Sequence, residues 1–301
     1  MKDLKGKVAL VTGAAMGMGR SLSEDILKEG CRVALVDVNQ TELANTRKEL
    51  SKIGKCADYI CDISDRQAVY QLAKQVEKEF GPVDILVNNA GIVKAQELVD
   101  LSDDAVEKMI SINLTAQFWT CKAFLSSMIK KGQGHIVNFA SAGGILALPN
   151  LSAYCASKFG VVGFSDSLRQ EMKKHKYNIG VIYVCPNTVN TGMFDGSKMV
   201  TGTKMLAASD VAKRVIKAIK NNKAMVCVLI LMALAATGIN IFQKGGAYNS
   251  GTVQSMRDEI RKINDNLFLG LGYMALGGGK INPAPFALIG PAKDWVGVDQ
   301  P

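Results

Sequence analysis

Lys7 to Val11, K-V-A-L-V, is an apolar run that breaks into Thr12-Gly13-Ala14-Ala15-Met16-Gly17-Met18-Gly19-Arg20, after which Leu22, Ile26 and Leu27 resume at helical spacing. A short apolar run ended by glycine reads as a strand, and the spacing beyond it as one face of a helix. The alternation continues: an apolar run from Arg32 to Val36, a helical stretch around Thr41 to Ser51, a strand leading to Cys61-Asp62-Ile63, a helix from Arg66 to Phe80 and a strand from Asp84 to Val87. Strands and helices alternating at this interval imply an α/β chain, a doubly wound parallel sheet with helices on both faces.

An open sheet of this kind presents its ligand-facing loops where the strands end. Glycines at 13, 17 and 19 let the backbone approach a pyrophosphate closely, while the free N–H groups and positive end of the next helix face it. A tight turn with no ligand is the plainer reading, but the strand before and the helix after are the context that binding requires. Asp37 stands eighteen residues after Gly19, where a carboxylate accepts hydrogen bonds from ribose hydroxyls and repels a 2′-phosphate. NAD is thereby favoured; Arg20 keeps NADP open, because a guanidinium near that ribose tolerates a phosphate. Asn88-Asn89-Ala90-Gly91 follows the strand ending at Val87, as a ligand-facing loop or simply as a cap and turn.

Ser141 precedes Tyr154 by thirteen residues, and Lys158 follows four later. On a helix, i and i+4 share a face, so the Lys158 ammonium sits beside the Tyr154 phenol, where a cation favours phenolate. A phenol tuned toward the working pH exchanges a proton with an alcohol or carbonyl. An ordinary amphipathic helix is the alternative. Asn113 lies between Ile112 and Leu114 in a helical stretch from Ala105 to Met128, and a polar residue there needs a reason or a solvated face. A strand from Gly134 to Phe139 delivers Ser141, and one from Gly180 to Cys185 ends in Pro186-Asn187-Thr188-Val189-Asn190-Thr191.

Other chemistries find little support. The net charge of +9 is concentrated at Lys198 to Lys223, with seven basic residues and one acid, and an aromatic content of 6% with no finger, zipper or ribonucleoprotein pattern argues against nucleic acid. The two histidines, His135 and His175, have no partner at ligand spacing, so neither a metal site nor Ser-His-Asp chemistry is expected. Seven scattered cysteines without a Cys-x-x-Cys pair read as reduced thiols, and the charged N-terminus lacks an apolar signal core, so a cytoplasmic protein is expected.

T-G-A-A-M-G-M-G (12 to 19), Asp62, N-N-A-G (88 to 91), Asn113, Ser141, Y-C-A-S-K (154 to 158) and P-N-T-V-N-T (186 to 191) fall in the order seen in short-chain dehydrogenases/reductases, and residues 1 to 232 resemble that family. The runs G-H-I-V-N-F-A-S-A-G-G, A-Y-C-A-S-K-F-G, C-P-N-T-V-N-T-G-M-F-D-G and V-A-K-R-V-I-K-A-I-K-N-N are similar to its epidermal retinol dehydrogenase and lipid-droplet 17β-hydroxysteroid dehydrogenase subgroup. The resemblance implies a Rossmann-type domain, with Tyr154 as acid/base, Ser141 on the substrate oxygen, Lys158 on the nicotinamide ribose and lowering the Tyr154 pKa, and Asn113 holding a relay water. It further implies cofactor contacts from Gly13, Gly17, Met18, Gly19, Asp37, Asp62, Ile63, Asn89, Ala90, Gly91, Pro186, Val189 and Thr191, together with Tyr154 and Lys158. A homo-oligomer at the cytosolic face of the endoplasmic reticulum or lipid droplets is also implied. Asn187 replaces the family's frequent glycine, as in that subgroup, whereas the subgroup's N-terminal anchor is missing from this sequence.

Ser209 is positioned to cap a helix from Asp210 to Lys220, with Val211, Val215, Ile216 and Ile219 on one side and Lys213, Arg214, Lys217 and Lys220 on the other. Ala224 to Phe242 is apolar enough to span a bilayer, but the sheet needs a last strand and Met225 to Ile230 would supply it. A third reading keeps that strand and rests Leu231 to Phe242, with the basic helix, on an anionic lipid surface. Residues 233 to 301 form an extension in which Val253, Met256, Ile260, Ile263 and Leu267, spaced 3-4-3-4, suggest an amphipathic helix ended by Gly270, followed by a loop with Gly277-Gly278-Gly279 and Pro283-Ala284-Pro285. The expected function is NAD-dependent oxidation of a lipophilic alcohol, retinoid or steroid, with apolar Met193, Phe194, Met199, Met205 and Leu206 suited to such a ligand or to packing on the sheet. NADPH-dependent reduction of a small carbonyl compound, or a membrane-associated dinucleotide-binding scaffold without catalysis, are the alternatives.

Overall fold

The structure is a computed structural model that describes residues 1–192 and 205–226 with their side chains, and the course of the chain at 227–228, 256–264, 267–274 and 281–289. Seven strands, β1 (Val8–Thr12), β2 (Arg32–Asp37), β3 (Cys56–Ile60), β4 (Ile85–Asn88), β5 (Gly134–Phe139), β6 (Ile179–Pro186) and β7 (Met225–Val228), form one sheet in the order β3-β2-β1-β4-β5-β6-β7. Every neighbouring pair is parallel. The order reverses at β1, whose neighbours are β2 and β4, so a crevice opens beyond the ends of β1 and β4.

Strand residues alternate between two apolar layers, because successive side chains point to opposite faces. Ala9, Val11, Val33, Leu35, Ile85 and Val87 pack with α1 (Gly17–Lys28), α2 (Gln40–Leu50) and α7 (Ala208–Lys220). Val8, Leu10, Ala34, Val36 and Leu86 pack with α3 (Arg66–Phe80), α5 (Ala116–Lys131) and α6 (Ser152–Lys174). Both faces are thus covered, which is why β1 is apolar at consecutive positions and buried throughout.

The helical stretch expected from Ala105 to Met128 is interrupted. It divides into α4 (Asp103–Ile110), a π-helical turn at Ser111–Thr115 and α5, and the wide turn carries Asn113 into the interior with no exposure. Ser209 is not the cap of α7: Ala207 holds that position and Ser209 lies in the first turn. The apolar side of α7 is spent on the core, so any lipid contact of this helix would go through its lysines.

Met225–Val228 takes the strand that the sheet required, shorter than expected and at the expense of a bilayer span. No helix among the described residues is long and apolar enough to cross a membrane. Leu231 to Phe242, Gly277 to Gly279, and Met193, Phe194 and Met199 lie outside the described residues.

The extension, a separate unit, corrects the helical reading of its sequence. Strands β8 (Met256–Asn264), β9 (Leu267–Met274) and β10 (Ile281–Ile289) form an antiparallel sheet in the order β10-β9-β8. The 3-4-3-4 spacing is outweighed by the short Asp265-Asn266 link, which suits a hairpin turn, and by the apolar, aromatic run of β9 that pairs on both sides. Gly270 is inside a strand, and Pro283 and Pro285, taken as loop, lie in the edge strand β10, where a residue without an N–H is tolerated.

Asp84 ties the start of the sheet together. Its Oδ2 accepts the Val8 N–H at 2.9 Å and its Oδ1 pairs with Lys131 at 2.7 Å, with the Asp84 side chain 2% exposed. Asp84→Ala leaves that N–H buried and unpaired and is expected to cost about 1–3 kcal/mol, seen in urea denaturation as a lower midpoint with an unchanged slope.

Candidate active site

Thr12, the last residue of β1, is fully buried, and its hydroxyl reaches across the crevice. It donates to Val87 O at 3.3 Å and accepts from the N–H groups of Asn89 and Ala90 at 3.0 and 3.1 Å. Asn89 Nδ2 returns the contact, donating to Thr12 O at 2.9 Å and Gly13 O at 3.1 Å. The loops after β1 and β4 are so close that a Cβ on Gly13 would lie 2.8 Å from Asn89 Nδ2, and one on Gly19 2.6 Å from the same atom. Side chains larger than hydrogen are therefore excluded at positions 13 and 19.

The turn opens onto a cleft of about 570 Å³ lined by Gly13, Gly17, Met18, Asp37, Asp62, Ile63, Asn89, Ala90, Gly91 and Thr191. At its floor α1 begins with no side chain capping it and no acidic residue in its first turn, an arrangement receptive to an anion. Asp37 accepts the N–H groups of Ala15 and Asn39, each at 3.0 Å. Arg20 is engaged elsewhere, in an ion pair with Glu49 on α2.

Met18, Asn89, Gly91 and Thr191 also line a smaller recess, together with Ser141, Tyr154, Lys158, Pro186 and Val189. Tyr154 is 6% exposed and hydrogen-bonded to the Ser141 side chain, whose Oγ also accepts the Gly143 N–H at 3.1 Å. Lys158 is 4% exposed; its Nζ donates to Phe139 O at 2.9 Å and lies 5.7 Å from the centre of the Tyr154 ring.

Burial dominates the electrostatics of both groups. Burial pushes the Tyr154 phenol up to about 12, only partly opposed by the Ser141 hydrogen bond, and burial lowers the Lys158 amine to about 8.

Asn113 does not line the recess but stands behind it. Its Oδ1 accepts the Ile92 N–H at 2.8 Å, and its Nδ2 donates to Ile92 O at 2.9 Å and Ser157 Oγ at 3.1 Å. Ser157 Oγ in turn donates to Tyr154 O at 2.6 Å, and Gln117 Nε2 to Asn113 O at 2.9 Å. Thr12, Ser157 and Gln117 were not singled out from sequence; a threonine closing an otherwise apolar strand was the one signal available for Thr12. Apolar Ile92, Val93, Leu101, Met109 and Leu151 cluster with Tyr154. Met205 is largely exposed, and Leu206 packs on the core beside α7. Among the described residues no group of three or more His, Cys, Asp or Glu is placed to hold a metal ion. The arrangement suits proton exchange with an oxygen beside a dinucleotide-sized cleft.

A family model described as short chain dehydrogenase matches residues 7–199. The chain is 42% identical over 198 residues to short-chain dehydrogenase/reductase family 16C member 6 of Bos taurus, covering 65% of this chain and 63%, under two thirds, of that protein. It is 39% identical over 223 residues to epidermal retinol dehydrogenase 2 of Mus musculus, 72% of each chain. With estradiol 17-beta-dehydrogenase 11 of Homo sapiens it shares 36% over 238 residues, 78% of this chain and 79% of that one. Among solved structures, a short chain dehydrogenase/reductase from Burkholderia phymatum in complex with NAD superposes with a TM-score of 0.73 at 27% identity, covering 79% of this chain and 93% of that one. An actinorhodin polyketide ketoreductase variant with NADPH gives 0.70 at 31%, covering 76% and 97%.

A buried amine held at a pKa of about 8, below its ordinary 10.5, costs stability wherever it must stay charged. The unfolded chain then binds the proton more tightly than the folded one, so this cost is full below pH 8 and fades as pH rises to 10.5. Lys158→Met is expected to stabilise the protein at pH 7 by on the order of 2 kcal/mol, and urea denaturation at pH 7 and pH 10 should show that gain shrinking at the higher pH.

Proposed function

Because the chain belongs to the short-chain dehydrogenase family, we propose that this oxidoreductase interconverts a lipophilic alcohol, of retinoid or steroid type, and its carbonyl, with NAD preferred over NADP. The observation that carries this reading is the meeting of Ser141, Tyr154 and Lys158 in one recess that shares Asn89, Gly91 and Thr191 with the glycine-lined cleft. The lipophilic substrate is supported by the apolar cluster around Tyr154 and by relatives named for retinol and estradiol.

The residues present fit a dinucleotide. Positions 13 and 19 have no room for a Cβ, α1 starts uncapped, and Asn89 Oδ1 is buried with no hydrogen-bond partner among the described residues. Gly13, Gly17, Met18 and Gly19 would hold the pyrophosphate, Asp37 the adenosine ribose, Asp62 and Ile63 the adenine, and Asn89, Ala90 and Gly91 the adenosine side. Pro186, Val189 and Thr191 would hold the nicotinamide end. When bound, the nicotinamide ring supplies the hydride chemistry at the carbinol carbon.

The chain's own residues handle the oxygen. Tyr154 gives its proton to a carbonyl oxygen or takes one from an alcohol, and Ser141 hydrogen-bonds the same oxygen. With the phenol at about 12, Tyr154 rests protonated, ready as an acid. Acting as a base it must first become phenolate, and Lys158 is the cation that favours this form. Asn113 fixes the loop at Ile92 and, through Ser157, the helix that carries Tyr154. The preference for NAD follows from Asp37 at the end of β2 and from Arg20 being held by Glu49. A position at the cytosolic face of the endoplasmic reticulum or on lipid droplets accords with this substrate class.

NADH formation in mild detergent with retinol, estradiol and a short secondary alcohol side by side tests the reading. Retinol or estradiol is expected to turn over, and Tyr154→Phe to cut the rate by about 10²–10⁴-fold while cofactor binding persists. Cofactor binding without turnover of any alcohol, or of the corresponding carbonyls with NADPH, would leave the scaffold reading standing. Asp37→Ser is expected to shift the NAD-to-NADP ratio of kcat/KM toward NADP by at least about tenfold, or about 1.4 kcal/mol.

A further inference from the structure

Parallel strands give the sheet two unlike edges. Ser141 and Pro186 follow or close the finishing ends of β5 and β6, whereas a cavity of about 250 Å³ lies at the starting ends of β5, β6 and β7, remote from the active-site recess. Its charged lining consists of Arg169, Lys173, Lys223 and the amino group of Met1, with His135 and Asn222 beside them and no carboxylate. Arg169 shares its charge with Asp166 at 2.7 Å; neither Lys173 nor Lys223 has a carboxylate partner among the described residues.

Two side chains lining this space carry buried nitrogens without a hydrogen bond of ordinary geometry. His135 is 4% exposed, and its ring interacts with Asn222 and the Gly134 backbone without completing such a bond. Arg169 Nε is likewise buried with no partner. Buried donors of this kind call for a ligand or ordered water. Gly180 makes the notch: a Cβ there would collide with His135 Nε2 and Asn222 Oδ1. With about 30 Å³ per water in the liquid, the volume exceeds what one or two waters fill, and four cations without a lining carboxylate select a negative occupant.

We propose that this cavity is a binding site for a small phosphate-type oxyanion, with His135 and Arg169 donating from inside and Lys173 and Lys223 supplying charge at its wall. The phosphate belongs either to a soluble monoester or to an anionic lipid headgroup. Burial holds the His135 pKa down to about 4, so the ring is neutral near pH 7, and an anion against it raises that value.

With two histidines in the chain, imidazole proton resonances report the site directly. Inorganic phosphate, titrated against chloride at constant ionic strength, is expected to shift the His135 resonance saturably, leave His175 unmoved and raise the His135 pKa. Arg169→Gln combined with Lys223→Gln should weaken phosphate binding at least about tenfold without changing the melting temperature in chloride. Flotation with phosphatidic acid vesicles distinguishes the sources: co-flotation that phosphate competes away and the double variant lacks identifies a headgroup, and phosphate binding without co-flotation identifies a soluble anion. A His135 resonance that responds equally to phosphate and chloride, or a phosphate shift that survives in the double variant, overturns the proposal.

Discussion

One hydroxyl sets the width of the crevice on which everything else depends. Thr12 is a polar residue fully buried at the end of β1; its oxygen collects two N–H groups from the β4 loop and gives its proton to β4 itself. The loops after β1 and β4 are thereby drawn together where the strand order reverses, and that closeness makes glycine obligatory at 13 and 19. Sequence, turn geometry and cleft shape share one physical cause, the satisfaction of polar groups in a dry crevice.

Beneath the crevice the polar interior is satisfied in the same way. Thr120 Oγ1 donates to Asn88 Oδ1 at 2.7 Å, Asn88 Nδ2 to Asn138 Oδ1 at 2.9 Å, and Asn138 Nδ2 to Ser165 Oγ at 3.0 Å, linking α5, β4, β5 and α6 in one buried line. Lys158 stands apart: it reaches a carbonyl, not a carboxylate, and its charge stays costly. The amides of that line are matched, whereas the lysine beside Tyr154 is left under tension, a division expected where stability and activity compete.

The doubly wound sheet was legible because its signals are local and repeated. Lys7 to Val11, Arg32 to Val36 and Gly134 to Phe139 are short apolar runs whose ends carry the polar residues of the site, so motif positions and strand ends coincide. What escaped depends on partners distant in sequence. The π-helical turn at Asn113 accompanies pairing with Ile92, twenty-one residues away, and nothing in S-I-N-L-T announces it. The Tyr154 and Lys158 pKa directions follow from burial, which the i, i+4 spacing does not encode. In the extension, helical and strand patterns coexist in residues 253 to 267, and pairing with β9 decides between them.

The Asn113 side chain, with one oxygen and one nitrogen on a planar amide, has the hydrogen-bonding outline of a peptide unit. By pairing with both the N–H and the C=O of Ile92 it behaves as a one-residue strand offered by a helix, continuing β-type pairing past the point where the sheet itself has ended. The wall beside Tyr154 is thus anchored through its main chain independently of the packing of its side chains. Substitutions at Ile92 or Val93 therefore change the apolar surface beside Tyr154 while the backbone pairing that keeps it in register remains.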